Sequence, residues 1–422
     1  MPRRYFTNPY LHRPLRKAEL EWSDEELKAK IAALAAKCVE QFKLKTDNCD
    51  GGIYVGLAGL AYALWYAGTR PKMAAQRDHL LAAAKKILDF HLDYKDGHCQ
   101  EVQRNREDEC AFLLGHAGVH TVAALLYSSL GEKAATYEER LKRSGAKLYP
   151  VGALRQGSDE LFVGRAGILF ALLNLRLKAN LCTGTEATIS ELVKSTLASG
   201  RQGASHFAAG SVHPPLVYSY YGSRYLGAAH GTAAILQALL AAPAALEARD
   251  LADLRSSVDY FLDIQRPSGN FPAAMEDIGD GAPAEEEELW HWCHGAPGVI
   301  HLLAAAYRHF NDEKYLKGAL EAGEGIWVKG LLKKGPGICH GIAGNAYAFL
   351  LLGQLQPQEG KHLERALAFA RFMDSDEFRQ GARTPDCPWS LFEGWAGALC
   401  FYADLLEPAQ AEFPLYPHSA FP

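Results

Sequence analysis

A short turn signature recurs seven times along this chain, and no other feature restricts its fold as strongly. It reads Gly56-Leu-Ala-Gly59, Gly115-His-Ala-Gly118, Gly164-Arg-Ala-Gly167, Gly231-Thr-Ala-Ala234, Gly295-Ala-Pro-Gly298, Gly341-Ile-Ala-Gly344 and Gly394-Trp-Ala-Gly397, the fourth copy ending in alanine. The first glycines lie about 56 residues apart on average, a period that signals an array of supersecondary units. After Gly56 the chain runs Leu-Ala-Gly-Leu-Ala-Tyr-Ala-Leu-Trp-Tyr, apolar on nearly every side, which predicts a helix buried all round. The same texture returns after Gly341 through Asn345-Ala-Tyr-Ala-Phe-Leu-Leu-Leu. Between such stretches lie amphipathic ones. Glu26 to Phe42 puts Ile31, Leu34, Ala35, Cys38 and Phe42 on one stripe with charges opposite. Each unit therefore reads as an outer amphipathic helix, a loop, the glycine turn and an inner apolar helix. No alternating run is long enough to read as a sheet.

Seven helical hairpins can form an open solenoid or a closed ring. A solenoid usually offers one wetted concave face, whereas these inner helices are apolar all round. The expected fold is therefore an all-α, double-layered α/α toroid. The glycines have a plain structural reading: small residues let helix ends crowd around a narrow mouth. A functional addition is that seven helix N-termini direct free N–H groups at one cavity, which favours anions there.

Composition narrows the class. Of 422 residues, 48% are hydrophobic and 22% charged, normal for a globular protein with a large core. The formal net charge of -5 gives no reason to expect nucleic acid as a partner. Nine scattered cysteines, an odd count, read as thiols of a reducing compartment and not as a disulfide framework. No apolar run approaches the length of a membrane span, and the start is no signal peptide. A cytoplasmic location is expected. Met1 to Lys17 holds five Arg or Lys residues and three prolines. Residues 1–24 read as a basic arm ahead of a toroid domain over 25–422. The arm reads first as a solvated terminus, and second as a peripheral contact with an anionic surface of the plasma membrane.

The fifth and sixth turns carry the chemistry. Trp292-Cys293-His294-Gly295 and Ile338-Cys339-His340-Gly341 each place a Cys-His pair before the glycines. A buried cysteine by itself is usually a small hydrophobe. Two cysteines and a histidine at matching places of neighbouring repeats read as zinc ligands: Cys293, Cys339 and His340. Three protein ligands with an open fourth position describe a catalytic site, not a closed structural one. A substrate thiol held there would stay electron-rich and nucleophilic. His294 is left beside Cys293 as a second-shell or proton-handling group. His230, at the fourth turn, is a proton donor or acceptor, or else a satisfied core histidine. Glu160, four residues before Gly164, lines the mouth or serves as a helix-start carboxylate. Lys333-Lys334 and Arg383-Thr384-Pro385-Asp386 precede the sixth and seventh turns and read as receptors for carboxylate and ammonium groups; solvated surface is the plain alternative. Glu285 to Glu288 reads as a solvated loop, with a collar for basic peptide segments as the alternative.

Three blocks are specific enough to point to a family: Tyr225-Leu-Gly-Ala-Ala-His-Gly231, His291-Trp-Cys-His-Gly-Ala-Pro-Gly298 and Gly330-Leu-Leu-Lys-Lys-Gly-Pro-Gly-Ile-Cys-His-Gly341. From Asn8-Pro9-Tyr10 to Phe413-Pro414-Leu415 the chain resembles the eukaryotic LanC-like proteins, relatives of bacterial lanthionine cyclases. Ser158 to Gly167 and Gly335 to Cys339 look most like the third vertebrate paralogue. The resemblance implies zinc on Cys293, Cys339 and His340, and glutathione as co-substrate. It implies that Lys334, Arg383, Thr384, Pro385 and Asp386, with Arg4 of the arm, bind the tripeptide. It also implies a transferase reaction: glutathione thiolate adds to dehydroalanine or dehydrobutyrine left in proteins when phosphoserine or phosphothreonine loses phosphate. In the bacterial relatives the positions of His230 and Glu160 serve proton transfer, with Asp at the latter, and a tyrosine stands at the place of His294.

Two positions, Leu289 and His116, depart from the relatives' pattern, and one stretch, Arg383 to Asp386, keeps what glutathione binding would need. Bacterial enzymes carry an Arg where this chain has Leu289. His116 stands where the commonest eukaryotic relatives have Asp. The Arg-Thr-Pro-Asp stretch is intact here, although third paralogues lack it. The alternative function is a non-catalytic adaptor that binds zinc and glutathione. Protein prenyltransferases share a zinc-bearing α/α barrel but use an aspartate ligand that no turn here supplies. Toroidal glycosidases need two facing carboxylates, and Glu160 is the one candidate.

Overall fold

The computed structural model describes residues 3–98, 106–181, 184–208 and 210–416. Seven apolar helices begin at the seven glycine turns: Leu57–Gly68, His116–Ser129, Arg165–Ala179, Thr232–Leu240, Ala296–Phe310, Ile342–Leu355 and Trp395–Leu405. Each follows an amphipathic partner: Asp24–Gln41, Arg77–His98, Ala135–Ala146, Glu186–Ala204, Ala248–Asp263, Glu313–Lys329 and Lys361–Met373. The alternation read from the sequence is the alternation observed. Among the described residues the β-pairing amounts to three isolated bridges.

The apolar helices are buried because they have no polar face. All twelve residues of Leu57–Gly68 are buried. The outer helix Asp24–Gln41 buries only a stripe, Leu27, Ile31, Ala35 and Cys38. It starts at a Ser23/Glu26 capping box that satisfies two otherwise orphaned N–H groups, a device worth roughly 1 kcal/mol.

The glycine turns are steric necessities. A Cβ at Gly59 would lie 2.2 Å from the Ile53 carbonyl oxygen, one at Gly298 2.0 Å from that of Trp292, and one at Gly344 2.0 Å from that of Ile338. In each case the second glycine lets the new helix cross the carbonyl six residues upstream. Gly295 adds a left-handed backbone, φ 114°, that favours glycine for a second reason.

The chain divides into two compact units, one of Met1–Gln103, Ser129–Glu132 and Gly323–Pro414, the other of Arg104–Ser128, Lys133–Ala322 and Leu415–Pro422. In the first, the last apolar helix, Trp395–Leu405, packs on the first, Leu57–Gly68, and on the first outer helix, Asp24–Gln41. In the second, Thr232–Leu240 packs between Arg165–Ala179 and Ala296–Phe310.

Two expectations are corrected. The N-terminal arm is not simply solvated. Phe6 is 5% exposed and packs edge-on to Phe372, and the Asn8 side chain donates to the Trp327 carbonyl at 2.7 Å. An aromatic and an amide that find buried partners outweigh the basic residues around them. Nor is Glu285 to Glu288 uniformly a solvated loop, because Glu288 is buried and pairs with Arg266 at 2.7 Å. Residues 1 and 2 of the arm, residues 417–422, and Cys99 and Cys182 lie outside the described residues. The seven described cysteines are all thiols. No described helix is long and apolar enough to cross a membrane.

Candidate metal centre and active site

The turns share one register. Cys293 and Cys339 stand two residues before the first glycine of their turns, and Tyr54, Phe162 and Phe392 stand there in others. His230, His294 and His340 stand one residue before it. Backbone bonds tie neighbouring turns at these places. The Phe392 N–H donates to Tyr54 O at 3.1 Å, and that of Cys339 to Phe392 O at 2.8 Å. In the other unit, Ala229 N–H donates to Cys293 O at 3.3 Å and Leu113 N–H to Phe162 O at 3.0 Å. Equivalent side chains of successive repeats are thereby brought side by side.

One ligand atom each from Cys293, Cys339 and His340 lie within 4.8 Å of one another, and both cysteines are buried. Tetrahedral zinc with bonds of about 2.3 Å to sulfur and about 2.0 Å to nitrogen spaces its ligands roughly 3.5–3.8 Å apart, so small side-chain motions fit this trio to a metal. The donor set suits zinc: two soft thiols and an imidazole. Among the described residues it is the one cluster of this kind. Tyr54 Oη donates to Cys339 Sγ at 3.0 Å, and its ring stacks on Phe392 with centroids 5.0 Å apart.

Glu160 and His230 form a pair. Glu160 Oε2 lies 2.8 Å from His230 Nδ1 and also accepts the Phe162 N–H at 2.9 Å. Glu160 thus accepts from the turn before Arg165–Ala179, as a helix-start carboxylate does, and it also holds an imidazole. As a carboxylate it can only accept, so Nδ1 carries the proton and Nε2 is the nitrogen left for exchange. The His230 ring is fixed by Tyr220, stacked at 4.9 Å, and by Phe162 at 4.5 Å. Burial pushes the Tyr220 hydroxyl well above its usual range, with Glu160 and Glu107 adding to it. Burial also raises Glu107, whose field includes Asp108 and Glu160.

His294 packs on Tyr225 with centroids 5.5 Å apart, and burial pushes its imidazole below the ordinary value. Its Nδ1 is buried with no hydrogen-bond partner among the described residues. A buried orphan nitrogen beside Cys293 is what a site awaiting a polar molecule presents.

The basic residues of the sixth and seventh turns meet the N-terminal arm. Arg383 N–H donates to Lys333 O at 2.7 Å, and Lys333 N–H to Arg4 O at 3.0 Å. Gly335, φ 123°, lies so close to Pro385 that a Cβ there would stand 2.9 Å from its Cγ. Arg4, Lys334, Arg383, Thr384 and Asp386 are exposed, Pro385 half-buried. No ion pair among the described residues engages Arg4, Lys334, Arg383 or Asp386. Leu289 contributes only its carbonyl, which accepts from Asn270 at 3.1 Å.

The sequence reading missed Tyr54, Tyr220, Tyr225 and Glu107 as site residues. Tyr54 had a signal: aligned on the first glycine, it occupies the place of Cys293 and Cys339. Tyr220 and Glu107 had none, because the loop that carries Tyr220 and the short helix Arg106–Cys110 that carries Glu107 have no repeat register.

Comparisons with known proteins bear on the family and the fold. A profile of the family described as lanthionine synthetase C-like protein matches residues 47–417. A zebrafish (Danio rerio) protein named glutathione S-transferase LANCL1 is 40% identical over 394 residues, 92% of this chain and 90% of its own length. The LanC-like protein GCL1 of Arabidopsis thaliana is 34% identical over 380 residues, 87% of this chain and 81% of its own. The solved structure of nisin cyclase superposes with a TM-score of 0.64 at 14% identity, covering 94% of this chain and 97% of that one. That likeness is one of fold, the all-α toroid of helical hairpins expected from the repeat. With a profile spanning most of its length and relatives this similar, the chain belongs to the lanthionine synthetase C-like family.

Proposed function

We propose that this protein holds zinc on Cys293, Cys339 and His340 and joins glutathione to dehydroalanine or dehydrobutyrine residues of other proteins. The observation that carries the reading is the Cys293–Cys339–His340 cluster, whose open fourth position suits a thiol co-substrate. The name of the zebrafish relative, a glutathione S-transferase, supports the choice of thiol. Zinc bound there would supply Lewis acidity that makes a thiol ionise near neutral pH.

The chain's own residues do the rest. Lys334, Arg383 and Arg4 offer cations to the two carboxylates of glutathione, and Asp386 offers an acceptor for its ammonium group. Thr384 and Pro385 shape the strand between them. A new bond forms between sulfur and the β-carbon of the dehydro residue, and the π electrons move toward the α-carbon as an enolate. His230 Nε2 takes up the proton that the thiol releases and delivers it to that carbon, and Glu160 at Nδ1 stabilises the imidazolium formed in between. His294, held near-neutral by burial, is the second candidate to handle this proton. The abundance of thiols fits a reducing, cytoplasmic setting.

A second reading, binding without turnover, is favoured by Leu289, which puts no cation where bacterial cyclases have one. One experiment decides. Zinc-loaded protein, glutathione and a dehydroalanine peptide are mixed and the adduct mass is followed, beside Cys339→Ala with its metal content measured. Expected are adduct above background for the wild type, and loss of both zinc and adduct in the variant. Bound zinc and bound glutathione without adduct would establish the adaptor reading.

A further inference from the structure

The reaction proposed above leaves one demand without a residue. As sulfur bonds to the β-carbon, the displaced π electrons collect on the carbonyl oxygen of the dehydro residue. A preorganised hydrogen-bond donor at such an oxygen is usually the largest single contribution to catalysis. Leu289, close before Cys293, offers only a carbonyl. The donor has to come from a neighbouring turn.

The repeat register points to one. Leu289 stands six residues before Gly295, the first glycine of the fifth turn, and Tyr225 stands six residues before Gly231, the first glycine of the fourth. The backbone around Tyr225 is held firmly. Its carbonyl accepts the N–H of Thr232, where the helix Thr232–Leu240 begins, at 3.0 Å, and the Thr232 hydroxyl at 3.3 Å. On either side, Leu226 N–H donates to Ala273 O and Met275 N–H to Arg224 O, both at 2.9 Å. Gly227 lies so close to the turn that carries Cys293 that a Cβ there would stand 2.1 Å from the Cys293 carbonyl oxygen. The Tyr225 ring consequently neighbours two imidazoles, with its centroid 5.9 Å from that of His230 and 5.5 Å from that of His294.

The surroundings favour Tyr225 over the other phenol beside His230. Glu160 and Glu107 act on the Tyr220 hydroxyl, so an oxygen gaining negative charge there would be repelled by both carboxylates. The Tyr225 hydroxyl has no hydrogen-bond partner among the described residues, and a phenol has one O–H to donate. The spacing also fits. A carbonyl oxygen stands about 2.4 Å from the α-carbon next to it. Groups that serve these two atoms must be neighbours without bonding to each other, as the Tyr225 and His230 rings are.

We propose that Tyr225 is a further catalytic residue: its hydroxyl donates to the carbonyl oxygen of the dehydro residue while His230 protonates the α-carbon. This role rests on the transferase reading. The sulfur–carbon bond forms, and the π pair moves through the α-carbon onto the oxygen. The phenol holds that oxygen without giving up its proton. When His230 delivers a proton to the α-carbon, the carbonyl returns and the phenol is unchanged.

The test is steady-state kinetics of zinc-loaded, full-length Tyr225→Phe with glutathione and a dehydroalanine peptide. This variant keeps the ring and removes only the hydroxyl. Zinc content, calorimetric glutathione binding and thermal melting should match the wild type. Expected is a fall in kcat of about 10²–10³-fold, the effect of deleting one such donor, with the peptide KM little changed. The fall should be equal across the pH profile, because the phenol transfers no proton, whereas His230→Gln should change the profile's shape. A kcat within about threefold of the wild type overturns the proposal, and so does a raised KM at unchanged kcat, the mark of a group that only binds. Loss of zinc or a lowered melting temperature would make the hydroxyl structural, and a fall confined to one limb of the pH profile would make it a proton carrier; either overturns its role as a fixed donor. Absence of adduct in the wild type sinks the transferase reading and this role with it. Adduct in the wild type with full activity in Tyr225→Phe sinks this role alone.

Discussion

Glu160 and Asp404 are both buried carboxylates on the repeat's own helices and turns, and they have opposite uses. Glu160 lies 2% exposed at a turn and holds His230, whose side chain keeps 26% of its surface. Asp404 lies fully buried in Trp395–Leu405, where it accepts from Tyr66 Oη at 2.8 Å and Tyr347 Oη at 2.9 Å, with Arg70 at 3.4 Å. Tyr66 also reaches the Glu412 carbonyl at 2.9 Å, so this cluster fastens the C-terminal segment to three apolar helices. One carboxylate holds an imidazole that solvent can reach. The other is sealed among phenols that do not titrate near neutrality, since burial pushes both tyrosines well above their usual range. The difference lies in the partner: an imidazole that solvent reaches leaves Glu160 beside an exchangeable group, and sealed phenols leave Asp404 inside the core.

The sharpest way to break that contrast is to remove each side chain. His230→Gln should lower the rate of glutathione addition by about 10²–10⁴-fold, the range for losing a general acid. Its melting temperature should hold, because His230 is partly exposed. A variant of Asp404, Asp404→Ala, should do the reverse. It takes the shared acceptor from Tyr66 and Tyr347 and the ion-pair partner from Arg70, which costs about 3–5 kcal/mol, visible as a lowered denaturation midpoint with zinc content intact. If Asp404→Ala lost zinc while still folded, the division between site and lock would be wrong.

The second prediction is a pH dependence. Burial raises the Asp404 carboxyl to about 7, with Arg70 and the tyrosine hydroxyls opposing. A raised folded pKa means that the native state binds this proton more tightly than the unfolded chain. The contribution is therefore fully present below about pH 4 and is lost as pH rises through 7. Denaturant melts at pH 5.5 and 8 should show this loss in the wild type and not in Asp404→Ala. An unchanged slope would mean that another group carries it.

The smallest effect tests Tyr54. Its hydroxyl donates to Cys339 Sγ, so it draws charge from the sulfur that ligates metal. With cobalt in place of zinc, Tyr54→Phe should shift the sulfur-to-metal charge-transfer band and change chelator-measured affinity by about tenfold. A spectrum identical to the wild type would reduce Tyr54 to a packing residue, stacked on Phe392.

Much of this was legible before any coordinates. The seven turns predicted seven hairpins, and the turns begin seven apolar helices. Cys293, Cys339 and His340 were legible because a repeat puts equivalent positions side by side. Glu160 and His230 were legible one by one, but their 2.8 Å contact was not, since 70 residues separate them. The arm was misread because its composition is basic while its contacts are made by Phe6 and Asn8. Glu288 was misread because three exposed glutamates precede it and its partner, Arg266, lies in another loop.

By itself the sequence determined what is periodic: helix type, turn sterics, and the register shared by Cys293, Cys339 and His340. These follow from local geometry, a glycine that must clear a carbonyl six residues back and a helix with no polar face. The tertiary structure alone decided which acid meets a histidine and which meets phenols, and where the arm lies. Those outcomes depend on burial and on pairings across long sequence separations, and no local rule encodes them.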